Sequence, residues 1–79
     1  MLDEALEHLV KGIVAHPNDV SVRERTRKRG PVLEVRVHPD DLGKVIGRAG
    51  RTATALRTVI AGLGGKGIRV DFLDVDEAR

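Results

Sequence analysis

The chain has a single aromatic side chain, Phe72, and no cysteine. Its core must therefore be assembled from Val, Leu, Ile and Ala, without the ring surfaces that dominate most cores and without disulfides or Cys-ligated zinc. At 79 residues it makes one domain at most, spanning 1–79. A chain this short buries only roughly 60% of the surface its unfolded form exposes, so efficient helix packing and oligomerisation are the remaining aids to stability. The same shortage of rings argues against RRM-type sheets and OB-folds, which stack bases on aromatic platforms. His8, His16 and His38 do not share metal-ligand spacing, so neither a metal nor another cofactor is expected. No window approaches the roughly 18 apolar residues of a membrane span. The acidic start, Met1-Leu2-Asp3-Glu4, is unlike a signal peptide. The expectation is a soluble cytoplasmic protein with no membrane partner.

Net charge is only +2, but it is unevenly spread. Residues 23–69 hold twelve basic and four acidic side chains, whereas residues 1–22 and 70–79 are each net negative. A basic middle of this kind suits a polyanionic partner.

Leu2, Ala5, Leu6, Leu9, Val10 and Ile13 recur at helical spacing, with Asp3, Glu4 and Glu7 in the first turns where the helix dipole favours anions. This helix is expected to end at Pro17. Val20 to Arg27 alternates, with Val20 and Val22 on one face and Ser21, Arg23, Arg25 and Arg27 on the other. After a turn at Arg29-Gly30-Pro31, the run to His38 alternates again, with Leu33, Val35 and Val37 inward and Glu34, Arg36 and His38 outward. The two runs predict an antiparallel hairpin. Pro39-Asp40-Asp41 opens a second helix, with Asp40 or Asp41 placed to cap it or to meet its dipole and Leu42, Val45 and Ile46 on its apolar side. Gly47-Arg48-Ala49-Gly50 interrupts it. A third helix follows from about Arg51 to about Leu63, with Ala53, Leu56, Val59, Ile60 and Leu63 inward, until Gly62, Gly64, Gly65 and Gly67 stop it. Ile68, Val70 and Phe72 alternate with Arg69 and Asp71 in a last strand, and the acidic end from Asp74 is expected to fray. The order α-β-β-α-α-β predicts an α+β fold, a three-stranded mixed sheet with helices packed on one face.

Val45-Ile46-Gly47-Arg48-Ala49-Gly50-Arg51-Thr52 is the most specific segment. Glycines at 47 and 50 let the backbone approach a sugar-phosphate chain without a Cβ in the way. Gly50 precedes the third helix, whose first N–H groups are unpaired and suited to an anion. Lys44, Arg48 and Arg51 add mobile positive charge. The segment resembles the V-I-G-x-x-G signature of KH domains, and the order of elements resembles the type II KH fold. The resemblance covers the whole chain, which is similar at this length to the small stand-alone bacterial KH proteins, the KhpA-like family. It implies single-stranded RNA binding, with Lys44, Ile46, Gly47, Arg48, Ala49, Gly50, Arg51 and Ala53 as the RNA-binding residues. KH loops clamp about four nucleotides. Bases would lie in an aliphatic groove on Ile46 and Ala53, with Leu33 or Val35 below. It also implies post-transcriptional regulation or RNA chaperoning. The expected partner is a second copy, or a larger relative that joins a Jag domain to a KH domain. Val59, Ile60 and Leu63 supply either that contact or more core.

Other features are weaker. Arg23, Arg25, Arg27, Lys28 and Arg29 either extend an RNA path or protect an edge strand by charge. Gly62-Leu63-Gly64-Gly65-Lys66-Gly67 matches G-x-G-x-x-G, but it ends a helix and opens a strand, the reverse of a dinucleotide fingerprint. No nucleophile–base–orienter set is present, so no enzymatic activity is expected. Two alternatives to RNA binding stand. One is a helix-turn-helix module with the third helix in a DNA major groove, although that helix exposes mainly Thr52, Thr54, Arg57 and Thr58 and has no Asn or Gln to read adenine. The other is an adaptor that binds protein.

Overall fold

In the computed structural model, which describes residues 1–76, the alternating segments pair as a hairpin. β1 (Ser21–Arg27) runs antiparallel to β2 (Gly30–Val37), with Val22 opposite Val35 and Arg27 opposite Gly30. The turn is thus Lys28-Arg29, one residue earlier than the proline suggested. Gly30, at φ +111°, bends the chain within the last pair and lets pairing run right up to the turn. β3 (Arg69–Asp74) lies on the other side of β2 and parallel to it, with Leu33 beside Val70 and Val35 beside Phe72. A parallel neighbour requires a crossover, and the intervening helices supply it: α2 (Leu42–Ile46) and α3 (Arg51–Ile60). They share the inner face of the sheet with α1 (Leu2–Lys11).

The core between these layers is aliphatic, as the composition required. Leu6 and Val10 of α1, Leu33, Val35 and Val37 of β2, Val45 of α2, Leu56 and Ile60 of α3 and Val70 of β3 are all buried. Phe72 is only partly buried at its margin, beneath the Arg57 guanidinium, 5.4 Å from the ring centroid.

Four local expectations change. α1 ends at Lys11 rather than near Pro17, and Ile13 is left 38% exposed; Gly12 takes the C-cap, and Pro17 instead opens a short 3-10 turn. α3 ends at Ile60 and opens into a π turn over Ala61–Gly65. That widening adds residues per turn and carries Leu63 out of phase, so it is exposed, as is Val59. β2 is buried on both faces: Val32 and Glu34, on the face away from the helices, are 2% and 6% exposed. Finally, the strand continues through Asp74, and Val75 N–H bonds the Val37 carbonyl at 2.8 Å; the rest of the expected frayed end, residues 77–79, lies outside the described residues.

Asp41 does not cap α2 with its side chain. Its carboxylate is buried and accepts hydrogen bonds from Ala15 N–H (3.1 Å), His16 N–H (2.9 Å) and the His16 ring (3.0 Å). It therefore pins the α1–β1 connection to the start of α2. His38 caps instead the 3-10 turn Pro39–Asp41 that precedes α2, its Nδ1 accepting from Asp40 N–H at 3.0 Å. Its ring stacks on that of His16, centroids 3.9 Å apart. Burial alone would raise the Asp41 pKa, but the bonds from Ala15 and His16 outweigh it and hold the carboxyl at about 2, below its ordinary 3.8. A depressed carboxylate contributes stability that is complete above its unfolded value and is lost as pH falls through its folded value. Thermal melts followed by circular dichroism should thus lose Tm between about pH 4 and pH 2. Asp41→Asn should melt lower at neutral pH and decline less across that window, and parallel wild-type and variant profiles would exclude Asp41 as the origin.

Candidate nucleic-acid interface

The interruption between α2 and α3 is built by backbone conformation. Gly47 closes α2 with its N–H on the Gly43 carbonyl (2.8 Å), then turns to φ +78°, ψ 171°. Gly50 N–H returns to the Gly47 carbonyl at 3.1 Å. Ala49 and Gly50 are both left-handed, at φ +55° and +73°. A left-handed alanine is strained by about 1–2 kcal/mol, and such strain concentrates where a backbone serves a function. Gly47 has a second reason to lack a side chain. A Cβ there would stand 2.8 Å from Thr52 Cβ and 2.9 Å from Thr52 N, and closer still to Thr52 Oγ1. Thr52, in the first turn of α3, thus fits under the loop rather than pointing to solvent.

The expected site residues mostly converge here. Arg48 and Ala49 are exposed at the tip, and Arg51, exposed, is the first residue of α3. Among the described residues neither the Arg48 nor the Arg51 side chain has a hydrogen-bond or ion-pair partner, so both guanidinium groups remain available beside the start of α3, where Arg51 N–H bonds the Arg48 carbonyl. Lys44 is exposed on the last turn of α2 but lies 3.7 Å from Asp41, so its charge is partly answered. Ile46 is half-buried at the end of α2. Ala53 is only 3% exposed, and Leu33 and Val35 are fully buried. None of these three can floor an open groove; they support it from within. No pocket is formed among the described residues, so the loop presents an open surface.

The geometry also engages three of the four side chains that a major-groove helix would use, leaving Thr54 exposed. Thr52 is tucked under Gly47, Thr58 bonds the Thr54 carbonyl at 2.9 Å, and Arg57 holds the Val70 carbonyl at 3.1 and 3.3 Å while lying over Phe72. Sequence spacing missed the meeting of His16 and His38. Together with Asp40 they place one potential ligand atom each within 4.8 Å, but the two rings lie 14° from parallel, so their nitrogens do not converge as tetrahedral coordination requires.

The loop's rigidity is testable. Gly50→Ala meets no neighbouring atom and should cost about 1–2 kcal/mol for its left-handed backbone alone. Gly47→Ala adds the clash with Thr52 and should lower Tm further, at roughly 4–8 °C per kcal/mol for a domain of this size. Ala49→Gly should relieve strain and hold or raise Tm. Equal melting of the two glycine variants would contradict the packing described.

A family profile described as KhpA/KhpB, KH domain, matches residues 3–71. The RNA-binding protein KhpA of Streptomyces coelicolor is 71% identical over 79 residues, covering 100% of both chains. The protein of the same name from Mycobacterium tuberculosis H37Rv is 66% identical over 74 residues, 94% of this chain and 92% of its own. That of Leifsonia xyli is 60% identical over 75 residues, 94% of this chain and 99% of its own. No solved structure matches significantly.

Proposed function

This chain belongs to the KhpA/KhpB family of KH domains, which is not a family of enzymes, and from that membership we propose that it is a cytoplasmic single-stranded RNA-binding protein, one KH domain over 1–79, acting as a post-transcriptional regulator or RNA chaperone. The observation that carries the reading is the left-handed loop Gly47–Gly50, exposed at the start of α3 with the unpaired guanidinium groups of Arg48 and Arg51 beside it. Such a loop receives phosphates on backbone N–H groups and arginines, while bases rest against the exposed part of Ile46. The full-length relatives named RNA-binding protein KhpA support it. With one aromatic in the chain, stacking contributes little, so affinity rests on phosphate contacts and sequence preference is loose.

Replacing both Arg48 and Ala49 with Asp should abolish RNA binding in filter-binding assays. Both positions are exposed, and Asp tolerates the left-handed conformation of residue 49, so the circular dichroism melt should stay close to wild type. For the wild type we expect a log–log salt slope on the order of −2 to −4, at about −0.7 per single-strand phosphate contact. A folded double variant with undiminished affinity would remove the loop from the mechanism.

The reading extends to assembly with a second copy or with the larger Jag/KH relative, KhpB, named in the family. Val59 and Leu63, 43% and 56% exposed at the end of α3 and in the π turn, support an apolar contact there. Ile60 is 1% exposed and belongs to the core, so it is no probe of the contact. Val59→Glu and Leu63→Glu should fold normally, sediment as monomers, and bind long RNA more weakly because the second contact is no longer intramolecular. Wild-type protein that stays monomeric at high concentration and forms no complex with the larger relative would exclude this surface.

A further inference from the structure

The sheet has a second face, turned away from all three helices, and its chemistry is unlike the rest of the molecule. Paired positions share a face: Arg23 lies opposite Glu34, Arg25 opposite Val32, Ser21 opposite Arg36, and β3 adds Arg69 beside Val32 and Asp71 beside Glu34. With Arg27 this places five arginines on one small surface against two carboxylates. Glu34 organises three of them. Its carboxylate, 8% exposed, bonds Arg25 at 2.7 Å and Arg27 at 2.8 Å, with Arg36 at 3.7 Å. Burial would raise its pKa, but the arginines prevail and hold it below the ordinary value, so it stays ionised and keeps them in place. Val32, opposite Arg25 and beside Arg69, is only 2% exposed.

We propose that this open sheet face is a second binding surface for the sugar-phosphate backbone of RNA, engaged by the same strand that the glycine loop holds. The proposal rests on the RNA-binding reading above. An arginine has five donors, and Arg25 and Arg27 use few of theirs on Glu34. Arg23, and Lys28 and Arg29 in the adjoining turn, have no ion-pair partner among the described residues. Arg23 and Arg25 are two strand positions apart, about 6.8 Å, a spacing of the order of successive phosphates along an extended strand. Protein interfaces are depleted of charge at their centre, whereas this face carries mostly charged side chains, with Val32 buried and Leu73 partly buried among them. It has no aromatic side chain to stack a base, so it reads backbone and not sequence. The domain measures 29 × 25 × 23 Å, and a strand longer than the loop's own footprint can pass round its edge.

The test compares RNAs of two lengths. One is about four nucleotides, the footprint of the loop; the other is about sixteen. The triple variant Arg23→Ala, Lys28→Ala, Arg29→Ala removes cations that hold nothing within the fold. It should bind the short RNA as wild type does and the long RNA several-fold more weakly, with a salt slope flatter by about 0.7 for each phosphate it no longer neutralises. Equal weakening on both RNAs would mean a general charge effect and overturn the proposal. So would undiminished long-RNA affinity in the triple variant while the Arg48→Asp, Ala49→Asp variant loses binding, which leaves the loop reading intact. Loss of polyglutamate binding with RNA affinity retained would assign the face to an acidic protein and overturn it too. Wild-type protein that binds neither RNA would sink the RNA-binding reading and this proposal together.

Discussion

The central strand has to be buried on both sides, and most of the domain is arranged to meet that requirement. β2 pairs with a neighbour along each edge. Its inner residues, Leu33, Val35 and Val37, face the helices and form the middle of the aliphatic core. Its outer residues have no second layer of helices to cover them. A carboxylate left there without partners would be costly to bury, yet Glu34 is 6% exposed. The neighbouring strand supplies Arg25, opposite Val32, and Arg27, and their heads neutralise Glu34. Long cationic side chains here take the place of a missing layer. In a chain with one aromatic and no disulfide, that substitution explains why so many arginines lie in a strand.

The glycine loop obeys a different constraint. α2 is short and α3 begins four residues after it ends, so the chain must reverse within that span and still leave a helix start uncovered. Positive φ at 47, 49 and 50 achieves the reversal. Thr52 packed under Gly47 fixes where α3 begins. Since Ala53, Leu56 and Ile60 of that helix are core residues, the loop's position is set by the same packing that stabilises the domain. Arg48 and Arg51 are thereby held beside the helix start by the core and need no hydrogen bonds of their own.

Most of this architecture was legible because it rests on short-range periodicity. Alternation at Val20–His38 marked the hairpin, and the aliphatic stripe of α1 marked its buried face. The Gly47–Gly50 interruption showed where two helices meet. The failures share a cause: tertiary partners that no local pattern encodes. Asp41 read as a helix cap, because a carboxylate before a helix usually is one; its partners sit 25 and 26 positions earlier. Glu34 read as solvent-facing, because alternation reports which side a residue faces and not whether that side is covered. Leu63 read as an inward position of the third helix, open to either core or contact, because a π turn shifts the helical phase without a sequence signature of its own. Within the site, the loop residues were identifiable from spacing, whereas the burial of Ala53, Leu33 and Val35 followed from how closely α3 packs on the sheet.

The net charge of +2 understates what the fold does with its cations. Carboxylates meet Lys11, Arg25, Arg27, Arg36, Lys44 and Arg69. Among the described residues, those left without such a partner include Arg23, Lys28 and Arg29 near the hairpin turn and Arg48 and Arg51 at the glycine loop. Attraction between exposed charges fades over a Debye length of about 8–10 Å at physiological salt. At that range a polyanion responds to local clusters and not to the total for the chain. The acids at 3 and 7 are taken up within α1, Asp3 by the N-terminal amine and Glu7 by Lys11, and lower the formal total without an ion pair to either cluster. Pairing within the fold therefore selects which cations act outward, and several of them, Lys28, Arg29 and Arg48, stand at turns, where the backbone is most accessible to a partner.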